Sequence, residues 1–334
     1  MLDNLTHSFV GLFLSRAGFR RFTPQAAAIM IVAANAPDID VFTWLIDRPA
    51  WLHWHRHFTH ALPAVPLMAI LSVALVRLVG RKPVRWLPAF LIAMVAVLSH
   101  IALDMTNIYG VRLLLPFSAR WFSWDLTPVV DLSIWGILLL GLAVSALSRL
   151  VGSEIGERRN VYRGTGAAIL SLLLLTAYDG ARAFLHERAM LSLRSQQITQ
   201  ETPLRLAAFP GGNPLVWTGL AELSGSWAEI PVDLRQNRLH FSEMQTLYKA
   251  EPASAITSAL AERPFRILNE FVQYPFWTVE PAPDEPNAKQ VTLLDLRFGQ
   301  PIEPGFASAR AIVDALNQVT STSFGVGPVS VRPR

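Results

Sequence analysis

The 334 residues carry 29 Lys and Arg against 25 Asp and Glu, a formal charge of +4, and no cysteine. Half of the chain is hydrophobic (51%) and only 16% is charged, well under the roughly 25% of an average soluble chain, so an integral membrane protein is the leading class. Without cysteine, disulfides and thiolate sites are excluded, and any transition-metal site must be built from His, Asp or Glu.

The N-terminus carries Asp3 and no basic stretch, which argues against a cleavable signal peptide. An apolar helical run from Thr6 to Ala17 ends among Arg16, Arg20 and Arg21. Thr23-Pro24 opens a second run to Ala36, with Thr23 as N-cap and Pro24 in the first helical position. Both runs are shorter than the ~20 residues of a usual crossing. Fuller spans follow at Leu62 to Val79, Trp86 to Ile101 and Leu132 to Leu150, and a last one at about Gly166 to Leu185. The expected architecture is a membrane all-α helical bundle of five to six segments, followed by a smaller soluble α+β domain.

Three domains result: residues 1–150 as a membrane domain, 151–185 as a basic linker with the last membrane helix, and 186–334 as the soluble part. In the last, residues 216–223, 238–241 and 291–298 have the alternation of strands. Residues 253–262, 265–272 and 306–317 read as helices, with Phe265, Leu268, Phe271 and Val272 on one helical face. Residues 281–287 read as a loop.

Basic clusters occupy every second connection: Arg16/Arg20/Arg21, Arg77 to Arg85, and Arg149 to Arg163. The positive-inside rule makes these cytoplasmic. The excess charge therefore sets topology rather than binding nucleic acid. The other connections, Pro37 to His60 and Met105 to Val130, then face outward, as does the C-terminal domain.

That outward face gathers the chemistry. His7 begins the first segment, Asp38 and Asp40 end the second, His55 and His60 precede the third, and His100 and Asp104 end the fourth. His100 and Asp104 stand at i and i+4, so they share a helix face and can share an ion. Asp38 and Asp40 flank one residue and point the same way in extended backbone, suited to bridging, or to one ligand plus one general base. Imidazole and carboxylate suit Zn²⁺, Mn²⁺ or Fe²⁺. Each feature has a bland counterpart: a polar pair near a helix end, an aromatic–polar belt at Trp51 and Trp54, or a helix stop. Their joint placement favours a metal site. His53 and His57 read as interfacial, His186 and His240 as surface residues. Arg56 stands among the candidates and can bind an anionic oxygen.

In this order, Thr6-His7, Pro37-Asp38-Ile39-Asp40, His55-Arg56-His57-Phe58-Thr59-His60, His100-Ile-Ala-Leu-Asp104, Asn107-Ile-Tyr109-Gly110 and Pro116-Phe117 resemble the bacterial inner-membrane metal-dependent hydrolases of the YdjM-like type, often labelled LexA-binding. The resemblance covers roughly residues 1–150. Where relatives usually carry Gly and Ser around the His-Arg-x-x-Thr-His core, this chain has His57 and Ala61. A weaker likeness reaches the zinc-dependent phospholipase C and P1 nuclease superfamily. It implies His7, Asp38 or Asp40, His60 and His100/Asp104 as ligands of zinc ions that cleave phosphoesters. That family's N-terminal Trp ligand and second His-x-x-x-Glu motif are missing, which implies one or two ions rather than three.

The resulting expectation is a bacterial inner-membrane hydrolase with a divalent ion, zinc first. Asp38 or Asp40 would activate water, Arg56 would bind an anionic oxygen, and the substrate would be an ester or phosphoester, lipid-linked from the site's location. The competing class is a metal-binding scaffold or transporter without turnover. A nucleic-acid or repressor-binding role finds no basic–aromatic patch in the sequence.

Overall fold

The computed structural model describes residues 4–154, 164–236 and 238–325. Asp3 and the basic-linker residues Glu157, Arg158, Arg159 and Arg163 lie outside them.

α1 (Asn4–Ala17) and α2 (Ala26–Ala33) form a short hairpin. Gly11 lets them touch: a Cβ there would stand 2.6 Å from the Met30 carbonyl oxygen. α2 then bends by 55° into a 3-10 segment, Pro37–Leu45. α3 (Arg48–Trp54), a 3-10 turn at Phe58–His60, and α4 (Val65–Gly80) follow, then α5 (Trp86–Thr106), α6 (Leu132–Glu154) and α7 (Thr165–Ser195). Alanines at 33, 69, 89, 93 and 96 let α2, α4 and α5 pack closely into one apolar core, the small-residue packing that serves helices in lipid. Leu67, Leu71, Leu75 and Leu78 of α4 stay exposed on the outer face, where lipid replaces water.

Among the described residues, three helices are long and apolar enough to cross a membrane: Leu62–Gly80, Trp86–Thr106 and Thr165–Ser195. Counting the bent pair Ala26–Ala33 with Pro37–Leu45 as one span makes four. The expected five to six segments are thus too many. α1 has 14 residues, about 21 Å at 1.5 Å per residue, against a hydrocarbon core of ~30 Å. The apolar part of α6, Leu132–Ser148, is also short. The start of α2 differs as well. Thr23 does not cap it; its hydroxyl accepts from the Arg85 amide at 3.0 Å, and Gln25 in a left-handed conformation precedes the first turn.

Asp131 caps α6, accepting from the amides of Ser133 (2.8 Å) and Ile134 (3.3 Å) and from the Tyr178 hydroxyl (2.7 Å). Asp131→Ala is expected to cost about 1–2 kcal/mol of stability, read as a lower unfolding temperature in detergent.

α7 leads directly into two antiparallel sheets. The first holds β1 (Arg205–Pro210), β2 (Val216–Glu222), β3 (Ser226–Asp233), β4 (Arg238–Leu239) and β5 (Gln245–Tyr248). After α8 (Ser254–Ala261) and α9 (Arg263–Phe271), the second holds β6 (Pro275–Pro281), β7 (Lys289–Asp295), β8 (Ser308–Val313) and β9 (Val319–Phe324). Phe265, Leu268 and Phe271 face the core, as their spacing predicts. The expected helix at 306–317 is instead β8 and its turn. Ala309, Ala311 and Val313 are buried while Arg310 is exposed, a period of two that the helix-forming alanines disguised. Asn317 turns the chain at φ +60°. The strand expected at 238–241 shrinks to Arg238–Leu239.

The sheets are not a loose appendage. Tyr109 and Leu52 share a core with Phe265, Phe271 and Val291. The buried Arg297–Asp295 pair donates from Arg297 Nη1 to the Ile108 carbonyl at 2.8 Å, and Arg112 Nη2 reaches the Glu270 carbonyl at 2.9 Å. The C-terminal domain therefore packs on the end of the bundle where α5 stops. The basic connections meet at the opposite end, where Arg20 binds Thr165 (2.8 Å) and Gln25 binds the Lys82 carbonyl (3.1 Å).

Candidate metal centre

Four side chains from three separated stretches meet under that interface. Asp38 comes from the 3-10 segment after the α2 bend, His60 from the turn before α4, and His100 and Asp104 from successive turns of α5. Each offers one atom, and all four atoms lie within 4.8 Å of one another. His60, His100 and Asp104 are fully buried and Asp38 nearly so. The Nε2 atoms of His60 and His100 face each other at 3.1 Å. Asp104 Oδ2 lies 3.4 Å from the first and 3.3 Å from the second. Asp38 Oδ1 lies at 3.5 and 3.7 Å from the same two atoms. Around an ion with bonds of about 2.0–2.1 Å, the edges of a tetrahedron are about 3.3–3.4 Å. The five edges just given run from 3.1 to 3.7 Å, around that value.

The ring protons are directed away from that centre. His100 Nδ1 donates to the Ala34 carbonyl at 2.7 Å, which leaves Nε2 as a lone pair. His60 Nδ1 sits 3.1 Å from Thr59 Oγ1 and 3.3 Å from Asp40 Oδ2. Two imidazole Nε2 atoms facing at 3.1 Å need a proton or a cation between them. Asp38 Oδ1 and Asp104 Oδ2, which point at the same centre, have no hydrogen-bond partner. Burial alone would push His60 down, but the carboxylates of Asp104, Asp38 and Asp40 hold it well above its ordinary value. With both rings neutral, as ligands of an ion must be, the carboxylates of Asp38, Asp40 and Asp104 and the guanidinium of Arg56 leave two negative charges, the complement of one divalent ion.

The remaining candidates surround this set. Asp40 is fully engaged: Oδ1 meets His55 Nδ1 at 2.8 Å, while Oδ2 accepts from the Arg56 amide and the Thr59 hydroxyl, each at 2.9 Å. It stands behind His60, in the position of the carboxylate that orients a ligating histidine. Asp38, Asp40 and His55 also form a second group within 4.8 Å, but the Asp40–His55 distance is that of a hydrogen-bonded pair. Asp40→Asn is expected to weaken metal binding about 10–100-fold without abolishing it, measured by competition with a chromophoric chelator. His7 stacks on His100 with ring centroids 3.8 Å apart. Its Nε2 is 3.5 Å from Asp104 Oδ1, and neither ring nitrogen has a hydrogen-bond partner.

Arg56 is wholly buried and its bonds lie within the protein. Nη2 donates to Asp104 Oδ1 at 2.7 Å, and Nη1 to Asn107 Oδ1 at 3.0 Å and the Gly110 carbonyl at 3.3 Å. Its φ of +57°, rare outside glycine, turns its amide to Asp40 and its side chain to Asp104. Gly110 must be glycine: φ is +77°, and a Cβ would stand 2.8 Å from the Phe122 carbonyl oxygen.

Asn107, which anchors both Arg56 and the Tyr109 amide (2.9 Å), and Thr59 lay inside recognisable motifs without a role in the sequence reading. Asn4, donating to Asp38 at 3.2 Å, carried no signal, and the Ala34 carbonyl belongs to the backbone. His53 faces Glu270 of the C-terminal domain at 3.3 Å. His57 is buried beside Trp54, where burial first and then Arg112 push it down to about 4. His186 is half-buried against Trp217 rather than on the surface.

The molecule is thus a helical membrane protein with a buried Asp/His cluster suited to a metal ion. The model of the YdjM inner membrane protein family matches residues 1–189, more than half of the chain, and the chain belongs to that family. An uncharacterized protein of Bacillus subtilis (strain 168), YfhP, is 29% identical over 153 residues, 43% of this chain and 46% of that one. The chain therefore spans about half the length of the curated relative it matches. No solved structure matches.

Proposed function

We propose that this protein is a membrane-embedded, metal-dependent hydrolase, with Asp38, His60, His100 and Asp104 holding one divalent ion. The observation that carries the reading is the close, near-tetrahedral gathering of four buried ligand atoms, with two imidazole Nε2 atoms turned toward one point. The donor set of two imidazoles and two carboxylates, at near-tetrahedral spacing, suits zinc first, then Mn²⁺ or Fe²⁺.

An ion held there would supply a Lewis acid that polarises both a water and the ester or phosphoryl oxygen of a substrate. The chain's own residues do the rest. Arg56 ties down Asp104 Oδ1 and leaves Oδ2 facing the centre. Asp40 and the Ala34 carbonyl fix the rings of His60 and His100. Asp38, the least enclosed of the four, offers the oxygen that does not face the centre, Oδ2, which accepts from Asn4, as the acceptor for a proton released by the attacking water. Arg56 acts here as a positioning residue, not as the substrate's anion-binding group. A site at the end of the bundle favours a lipid-linked ester or phosphoester. The separation of basic connections from the metal end supports an extracytoplasmic site and C-terminal domain.

A second reading, a metal-stabilised scaffold, is favoured by one observation: four protein ligands with no open position is the shell of structural zinc. A panel of phosphoester and lipid-ester substrates, assayed with and without chelator, separates the two. The hydrolase reading expects turnover that is lost with chelator and in the double variant His100→Ala/Asp104→Ala. Turnover retained in the double variant contradicts it, and bound metal without turnover on any substrate favours the scaffold.

A further inference from the structure

Three helices measure how deep the metal centre lies. Their basic ends are tied together: Thr165 Oγ1 donates to the Arg16 carbonyl at 3.1 Å, and Gln25 donates to the Lys82 carbonyl. From Arg16 back to His7, α1 rises nine residues, about 14 Å at 1.5 Å each. From Gln25 to Ala34, whose carbonyl holds His100, α2 also rises nine residues, about 14 Å. From Trp86 to His100, α5 rises fourteen, about 21 Å. A hydrocarbon core is ~30 Å thick. With the basic side chains at one edge, the centre stands about 9–16 Å short of the other. Helix tilt shortens each rise and places the centre deeper still.

The 3-10 segment Pro37–Leu45 leads out from that depth. Its nine residues rise about 18 Å at ~2.0 Å each, and the 55° bend from α2 leaves about 10 Å of this along the α2 axis. That distance matches the depth still to be crossed. Between Asp40 and Asp47 the chain has no charged residue. Ile39, Phe42, Leu45 and Ile46 turn outward, 58–76% exposed. Charge returns at Asp47, which pairs with Arg263 at 2.7 Å on the partly exposed side of the C-terminal domain. The segment packs on the Phe58–His60 turn. Exposed apolar residues continue from Phe58 and Leu62 into Leu67 and Leu71 of α4. A surface this apolar and continuous is foreign to a protein face in water.

We infer that Ile39 to Ile46 lies in the lipid hydrocarbon of the leaflet at the metal end, so that the centre sits below the headgroups. Lipid, rather than a second copy of the chain, covers the segment for two reasons. The apolar stretch is bracketed by the basic end and the Asp47–Arg263 pair, at about the spacing of a hydrocarbon core. It also runs without a break into the leucine face of α4. A molecule already in that leaflet is therefore level with the centre, whereas one in water is not. The inference needs the membrane and not turnover, so it stands apart from the hydrolase reading.

The chain has no cysteine, so single-cysteine variants of the full chain carry one spin label each. Phe42→Cys reports on the segment. Ala102→Cys, exposed on α5 between His100 and Asp104, reports on the height of the centre. Leu71→Cys on α4 and Ile302→Cys, 97% exposed in the C-terminal domain, are the hydrocarbon and water references. The proteins are reconstituted in phosphatidylethanolamine–phosphatidylglycerol vesicles. Power saturation then compares collisions with oxygen, which concentrates in hydrocarbon, and with a water-soluble nickel chelate. The labels at 42 and 102 should favour oxygen several-fold over the chelate, as at 71, with the reverse at 302. An unchanged unfolding temperature shows that a labelled variant is folded, and Ile46→Cys replaces Phe42→Cys if that variant is not. A preference for the chelate at either position would overturn the inference. Protection of the segment's label from both reagents would overturn it too, because protein would then cover the segment.

Discussion

Replacing His60 by alanine is expected to strip the ion from the centre. His60 Nε2 lies on three of the measured edges, to His100, Asp104 and Asp38, and it reaches Asp40 from the opposite side of its ring. The loss removes a direct ligand, so it should exceed the ~10–100-fold typical of an outer partner. Metal content of the purified variant, by elemental mass spectrometry, should fall to background. His53→Ala is the matched control: His53 sits in the same histidine-rich stretch but faces Glu270, and its metal content should equal wild type.

The second large effect is on stability. Arg56→Met removes the only guanidinium among the described residues that bonds to Asp104 and leaves that carboxylate buried without its counter-charge. Breaking a buried pair from one side costs about 3–5 kcal/mol. Asn107 Oδ1 and the Gly110 carbonyl lose their donor in the same step. Arg56→Lys keeps the charge but cannot present the planar fork to both Asp104 and Asn107, so it should fall between. Thermal unfolding in detergent measures both, and wild-type stability in Arg56→Met would remove Arg56 from its positioning role.

Much of the centre was legible because helical period and charge act locally. His100 and Asp104 at i and i+4 and the alternation of basic loops both placed the ligands at one end. The role of Arg56 was not legible. It depends on a left-handed backbone at that residue and on Asn107, 51 positions away, and neither is encoded in local pattern. Asp40 was read as a ligand or base because Asp38-Ile-Asp40 looks symmetrical in extended backbone. The 3-10 turn gives the two carboxylates different neighbours, Asp38 at the four-residue centre and Asp40 against His55 and Thr59, while Asp38, Asp40 and His55 form a second group that could hold an ion. In the C-terminal domain, Pro231 sits inside β3 and concealed it, since proline normally argues against strand interiors, while Pro210, Pro275 and Pro281 mark strand ends. The span count was too high because apolar composition does not distinguish a short buried hairpin from a crossing.

Bound-metal stoichiometry decides whether the four-residue cluster holds a divalent ion. The full chain is purified in mild detergent without chelator, equilibrated with zinc, manganese or iron, and exchanged into metal-free buffer. About one ion per chain should be retained, with none in the His100→Ala/Asp104→Ala variant. Wild-type protein that retains no ion after each equilibration, or a double variant that retains as much as wild type, would contradict it.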